Sequence, residues 1–142
     1  MKVEPFLVAS TVSIIIAQRL VRKICESCKI QITLKRSDIE KNISQDLINK
    51  HFPMTEDIDI CKGGGCKVCH FTGYSGRIGI FEVLEITDKI RKLITEKNDS
   101  NIIAQRAIEE GMTAMLDDGL DKIIKGITTF EEVLRVTNVG AL

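Results

Sequence analysis

Near the start of the chain, apolar residues arrive in one block rather than at intervals. Residues 6–17 (FLVASTVSIIIA) are apolar at most positions, interrupted by Ser10, Thr11 and Ser13. Glu4-Pro5 precedes them, and proline suits the first position of a helix because the donor it lacks would be unpaired there anyway. The block predicts a helix running to about Ile24, buried at first and amphipathic where Gln18, Arg19, Arg22 and Lys23 follow. It is shorter than the roughly 20 apolar residues of a bilayer span, and its flanks are not those of a signal peptide.

Beyond it the pattern weakens. Residues 29–60 hold one amphipathic stretch, 37–51, in which Ser37 is placed to cap a short helix with Ile39, Ile43, Leu47 and Ile48 on one face. Gly63, Gly64, Gly65, Gly73, Gly76 and Gly79 predict tight turns, and residues 77–85 a strand. The helical period returns with a start at Thr87 or Asp88, a stop near Asn98 and a restart at Asp99 or Ser100. Gly111 and Gly126 read as helix ends, and Thr128 with Glu131 as a capping box opening a last helix to about Thr137. Met112 and Met115, near Leu116 and Leu120, read as core.

Charge changes the picture by exclusion. Lys+Arg and Asp+Glu both number 20, so no cationic excess is present to neutralise a run of phosphates. With no Trp, one Tyr and five Phe, few rings are available for stacking bases, and no nucleic-acid partner is expected. Five cysteines without an export signal imply reduced thiols and a cytoplasmic protein.

Four of those cysteines carry the candidate chemistry. Cys25-x2-Cys28 and Cys66-x2-Cys69 are two tight pairs separated by thirty-seven residues. Each such pair can grip one side of a zinc ion, and four thiolates complete a tetrahedron with no position left for water or substrate. The expected cofactor is therefore structural Zn2+ on Cys25, Cys28, Cys66 and Cys69. Cys61, five positions before Cys66, lacks a matching partner and is left out; His70 is expected outside the shell as well.

The run GCKVCHFTGYSGRIGIFEVL, residues 65–84, resembles a signature of the type II secretion and type IV pilus assembly ATPases. Residues 3–10 (VEPFLVAS) with 17–22 (AQRLVR), Gly111-Met112 with Asp118-Gly119-Leu120, and residues 128–137 (TTFEEVLRVT) agree with the same family. The resemblance implies an α+β, mostly helical fragment of a RecA-like α/β ATPase. Residues 1–24 would be a helix from the end of the core, 25–76 the tetracysteine insertion, 77–86 a core strand without its partner strands, and 87–142 a helical carboxy-terminal domain. It further implies a cytoplasmic homohexamer whose partners are the rest of the ATPase, neighbouring subunits, and inner-membrane platform or cytoplasmic adaptor proteins. ATP and Mg2+ would belong to the full-length parent alone, because no G-x-x-x-x-G-K-[ST] string occurs here. No catalytic or nucleotide-binding residue is expected, and Met1 is expected to mark either an expression boundary or a truncated reading frame. Arg19 and Arg22 read as a solvated helix face in preference to a reach toward a neighbouring subunit's nucleotide.

The other reading is a free-standing zinc-ribbon module that binds proteins or acts as a chaperone. The two cysteine pairs differ in their flanks and a long helical tail follows, which weighs against it.

Overall fold

The computed structural model describes residues 4–137. The helix predicted to reach Ile24 stops early: α1 is Pro5–Thr11, and Ile14–Ile24 is a strand, β1. Ser10 and Thr11 donate their hydroxyls back to the Leu7 carbonyl, at 3.2 and 2.6 Å, and Val12 is already extended. The β-branched Val12, Ile14, Ile15, Ile16, Val21 and Ile24 lose rotamer freedom in a helix and fit a pleated strand. Tertiary bonds fix the far end. The Arg22 N–H donates to Glu132, the Arg22 carbonyl accepts from Thr128, and the Ile24 N–H donates to Ile127.

The remaining elements are β2 (Lys29–Lys35), α2 (Arg36–Ile39), α3 (Gln45–His51), β3 (Asp57–Gly63), β4 (Tyr74–Glu85), α4 (Asp88–Thr95), α5 (Ser100–Glu109), α6 (Met115–Ile124) and α7 (Phe130–Thr137). Strand β4 begins three residues before the predicted start and pairs with β1, so the strand expected to lack a partner has one. Strands β2 and β3 pair antiparallel from Lys29↔Gly63 to Lys35↔Asp57. The amphipathic stretch 37–51 is two short helices, and Ile39, Ile43 and Ile48 all reach the core. The fold is thus α+β, with seven α-helices and two two-stranded sheets among the described residues.

The chain forms two compact units. One comprises Met1–Gln18 with Phe81–Ala114. Its core is small: Ile86, Ile90 and Ala107, flanked by Val12, Leu84, Ile94, Ile103 and Met112. Thr87 caps α4 by accepting from the Ile90 N–H, and Asp99 caps α5 by accepting from the Asn101 N–H. Arg91 ties α4 to α1 by donating to the Ala9 carbonyl.

The other unit comprises Arg19–Ile80 with Met115–Leu142. Its core gathers Val21, Ile80, the hairpin residues Ile58 and Ile60, Ile39, Ile43, Ile48 and Phe52 between the strands, and Leu120, Ile123, Phe130 and Val133 from α6 and α7. A Cβ on Gly119 would lie 2.5 Å from the Val133 Cγ1, so glycine is what lets α6 and α7 approach. The predicted capping box does not form, because α7 starts at Phe130 and the Thr128 hydroxyl is used on Arg22.

Candidate metal centre

Each cysteine pair is built on a one-turn 3-10 helix. The first, Glu26–Cys28, follows directly from β1, and the Cys28 N–H closes it on the Cys25 carbonyl at 3.2 Å. The second, Lys67–Cys69, closes with the His70 N–H on the Lys67 carbonyl, also at 3.2 Å. Backbone bonds join the halves: the Cys25 N–H donates to Gly73 at 2.9 Å and the Gly64 N–H to Cys28 at 2.8 Å. The glycines permit this contact, since a Cβ on Gly63 would sit 1.9 Å from the Gly73 carbonyl oxygen.

The four Sγ atoms lie within 4.8 Å of one another. Cys25 and Cys66 are 3.9 Å apart, Cys28 and Cys69 3.8 Å, and Cys66 and Cys69 3.7 Å. Cys25 and Cys69 are buried, while Cys28 and Cys66 are half-buried. Cys69 is the best supported as a thiolate, receiving the N–H groups of Cys66 at 3.2 Å and Gly73 at 3.3 Å. The Cys66 bond, helped by Gly73 and opposed by burial, draws its thiol down to about 6. Burial instead pushes the Cys28 thiol up to about 12. Four sulfurs converging with backbone donors behind one of them could hold one metal ion.

Cys61 stands apart from this group. It pairs with Gln31 across the β2–β3 hairpin, and a Cβ added at Gly126 would come 3.0 Å from its sulfur. His70 is exposed, in a left-handed conformation at φ 50° that turns the chain out of the second pair.

Sequence reasoning missed a second cluster beside the cysteines. Glu132 is buried, and both of its oxygens are taken by arginines: Arg22 through its backbone N–H, Nε and Nη2, and Arg135 through Nε and Nη2. Burial alone would raise this carboxyl, but the bonds from Arg135 and Arg22 outweigh it and hold it at about 2. Arg22 also stacks over the Tyr74 ring at 4.2 Å, so it is not merely a solvated residue. The partners lie 110 residues apart in sequence, too far for any local pattern to reveal. A related link joins α3 to α6: the His51 ring nitrogens lie 2.9 and 3.0 Å from Asp117 and Asp121, and Lys50 reaches Asp117 at 2.5 Å.

The family described as Type II/IV secretion system protein matches residues 1–135. The chain is 37% identical over 142 residues to "Type IV pilus assembly ATPase PilB" of Thermus thermophilus, covering 96% of this chain and 15% of that protein. It is 34% identical over 137 residues to "Type II secretion system protein E" of Dickeya dadantii, covering 96% of this chain and 25% of that protein. A third relative, "Type II secretion system protein HxcR" of Pseudomonas aeruginosa, is 36% identical over 137 residues, covering 96% and 24% respectively. The chain therefore spans a quarter or less of the length of these relatives. With its cysteine cluster in the segment that carries the resemblance, and with near-complete coverage by both branches, the chain belongs to the Type II/IV secretion system protein family.

Proposed function

We propose that this chain is the zinc-binding and helical carboxy-terminal part of a motor ATPase that powers type II secretion or type IV pilus assembly. The observation that carries the zinc assignment is the sulfur spacing. Zinc–thiolate bonds of about 2.3 Å in a tetrahedron place the sulfurs about 3.8 Å apart; three of the sulfur pairs are 3.7, 3.8 and 3.9 Å apart, and all four atoms lie within 4.8 Å of one another. With Cys25, Cys28, Cys66 and Cys69 all engaged, the ion would be structural. Its role would be to join the end of β1 to the start of β4 and so fix where those strands leave the cysteine centre.

The motor reading is also supported by apolar surface. Ile14, Ile15 and Ile16 on β1 are 54%, 44% and 63% exposed, and Phe81 and Val83 on β4 are 41% and 45% exposed. Apolar strand residues left exposed on both strands of the pair are what an interface would cover, and in the full-length motor that interface would be the rest of its nucleotide-binding core. Neighbouring subunits of a hexamer and the inner-membrane platform are the partners this reading implies. The chain itself, without a phosphate-binding loop, would not turn over ATP.

Elemental analysis of the purified, reduced chain tests the centre. One zinc per chain, lost in a Cys66→Ser/Cys69→Ser variant and retained in Cys61→Ala, is expected. No zinc in freshly prepared protein, or loss on changing Cys61 alone, would overturn the assignment. ATP turnover that survives repurification would overturn the division of labour.

A further inference from the structure

An open pocket of about 790 Å3 lies on the cysteine-bearing unit, lined by Leu20, Arg22, Thr72, Tyr74, Gly76, Arg77 and Arg135. Its floor is one face of two strands: Leu20 and Arg22 alternate along β1, and Tyr74 and Gly76 along β4. Gly76, at φ 76°, contributes no side chain, and an added Cβ there would meet nothing closer than the Lys23 stem at 4.0 Å. Arg135 enters from α7 and Thr72 from the turn that leaves Cys69.

The lining includes three arginines and no acidic residue. Glu132 lies behind it and is buried, so it cancels one of the three charges and leaves two facing the opening. The same carboxylate fixes the geometry. It takes Nε and Nη2 of both Arg22 and Arg135, and the Tyr74 ring supports Arg22 from below. Among the described residues, neither Nη1 group has a partner, and Arg77 has no ion pair.

We propose that this pocket binds a phosphate-bearing ligand, held by Arg22, Arg77 and Arg135. Arg22 and Arg135 have already used their forked edges on Glu132 and offer single remaining nitrogens, so a carboxylate would find a free fork on Arg77 alone, whereas a phosphate can take separate donors from all three. Three arginines lining one pocket, with a net charge of two left beside the buried Glu132, suit a tetrahedral group with several acceptor oxygens and two negative charges. The opening is far wider than one phosphate ion, so a ligand carrying further groups fits, with Leu20 offering apolar contact. Thr72 links the pocket to the cysteine centre, since its hydroxyl donates to the Cys69 carbonyl at 2.6 Å. The proposal does not depend on the motor reading: zinc content and ATP turnover leave it untouched.

Calorimetric titration of the full chain with inorganic pyrophosphate tests it. Saturable one-to-one binding that weakens with salt is expected, with Arg77→Ala about tenfold weaker, the usual loss for one charge-assisted bond. Arg77 has no ion pair among the described residues, so circular dichroism should be unchanged in that variant; Arg106→Ala, in the other unit, should bind as the parent does. Sedimentation with phosphatidic acid vesicles, against phosphatidylcholine vesicles, separates the sources. Arg77-dependent binding to the acidic vesicles assigns a lipid headgroup, and pyrophosphate binding alone assigns a soluble phosphate ligand; either supports the site. Absence of both, or binding indifferent to Arg77→Ala, would overturn it. An Asp/Glu-rich peptide that binds as tightly as pyrophosphate would also overturn it, in favour of a carboxylate site.

Discussion

The two units differ in how completely each closes its own core. The unit of Arg19–Ile80 and Met115–Leu142 buries twelve core residues from both strands, the hairpin and four helices, and adds a buried glutamate and a thiol cluster. Among the described residues, the unit of Met1–Gln18 and Phe81–Ala114 has a core cluster of three with Ala9 buried besides, while Ile16 and Phe6 stay 63% and 67% exposed. One composition thus serves two ends. In the first unit named, apolar residues build an interior; in the second, many of them form a surface that a larger assembly would cover.

Removing the zinc proposed for the cysteine cluster should break the contrast most. Chelation, or the Cys66→Ser/Cys69→Ser variant, is expected to withdraw on the order of 10 kcal/mol from the cysteine-bearing unit, the scale of structural zinc in small sites. Hydrogen exchange should show protection lost over β2 and β3 while α4 and α5 keep theirs. Equal loss in both units would show that they fold as one.

Glu132→Ala should come next, at about 3 kcal/mol, because it removes charge-assisted bonds to a buried carboxylate, although the two arginines, 50% and 55% exposed, keep water as a partner. The same group sets a pH dependence. Its folded value of about 2 lies below the ordinary 4.5, so its stabilisation is complete above about pH 4.5 and is lost as pH falls toward 2. Urea midpoints measured between pH 6 and 2.5 should fall more steeply in the parent than in the variant.

A cavity at Ile123, fully buried in α6, should cost roughly 2–4 kcal/mol as Ile123→Ala, read from the denaturation midpoint. Ile16→Ser, on the exposed ribbon, should sharpen the comparison from the other side. Its stability is expected to stay within about 0.5 kcal/mol of the parent, while light scattering shows less self-association. A large loss there would mean that this surface is already covered within the chain.

The parts legible in the sequence are those whose signal is local. Cysteine spacing is one, and the four sulfurs do lie together. The caps at Thr87 and Asp99 and the left-handed glycines at 111 and 126 are others, because each acts within a turn. The strand at Ile14–Ile24 was not legible as such, since an unbroken apolar run carries neither period cleanly and its partner lies some sixty residues on. Its β-branched residues were the available clue. Residues 29–35 and 57–63 do alternate, with Ile32 opposite Ile60 and Leu34 opposite Ile58 across the pair, but each run is short and separated from the other by two helices. Arg22 with Glu132 and His51 with Asp117 are invisible to any window, for they exist only once distant segments have packed.

The hairpin has a further consequence for how this region can change. Lys29, directly after Cys28, pairs with Gly63, so the whole excursion through β2, α2, α3 and β3 leaves and returns at the same place. Its two ends are already held by the backbone bond from Gly64 to Cys28. Lengthening a segment whose ends are fixed together adds only about 0.6 kcal/mol of closure entropy per doubling. Insertions in the exposed turn at residues 53–56 should therefore leave the cysteine cluster in register, so long as Ile39, Ile43, Ile48 and Phe52 keep their places in the core.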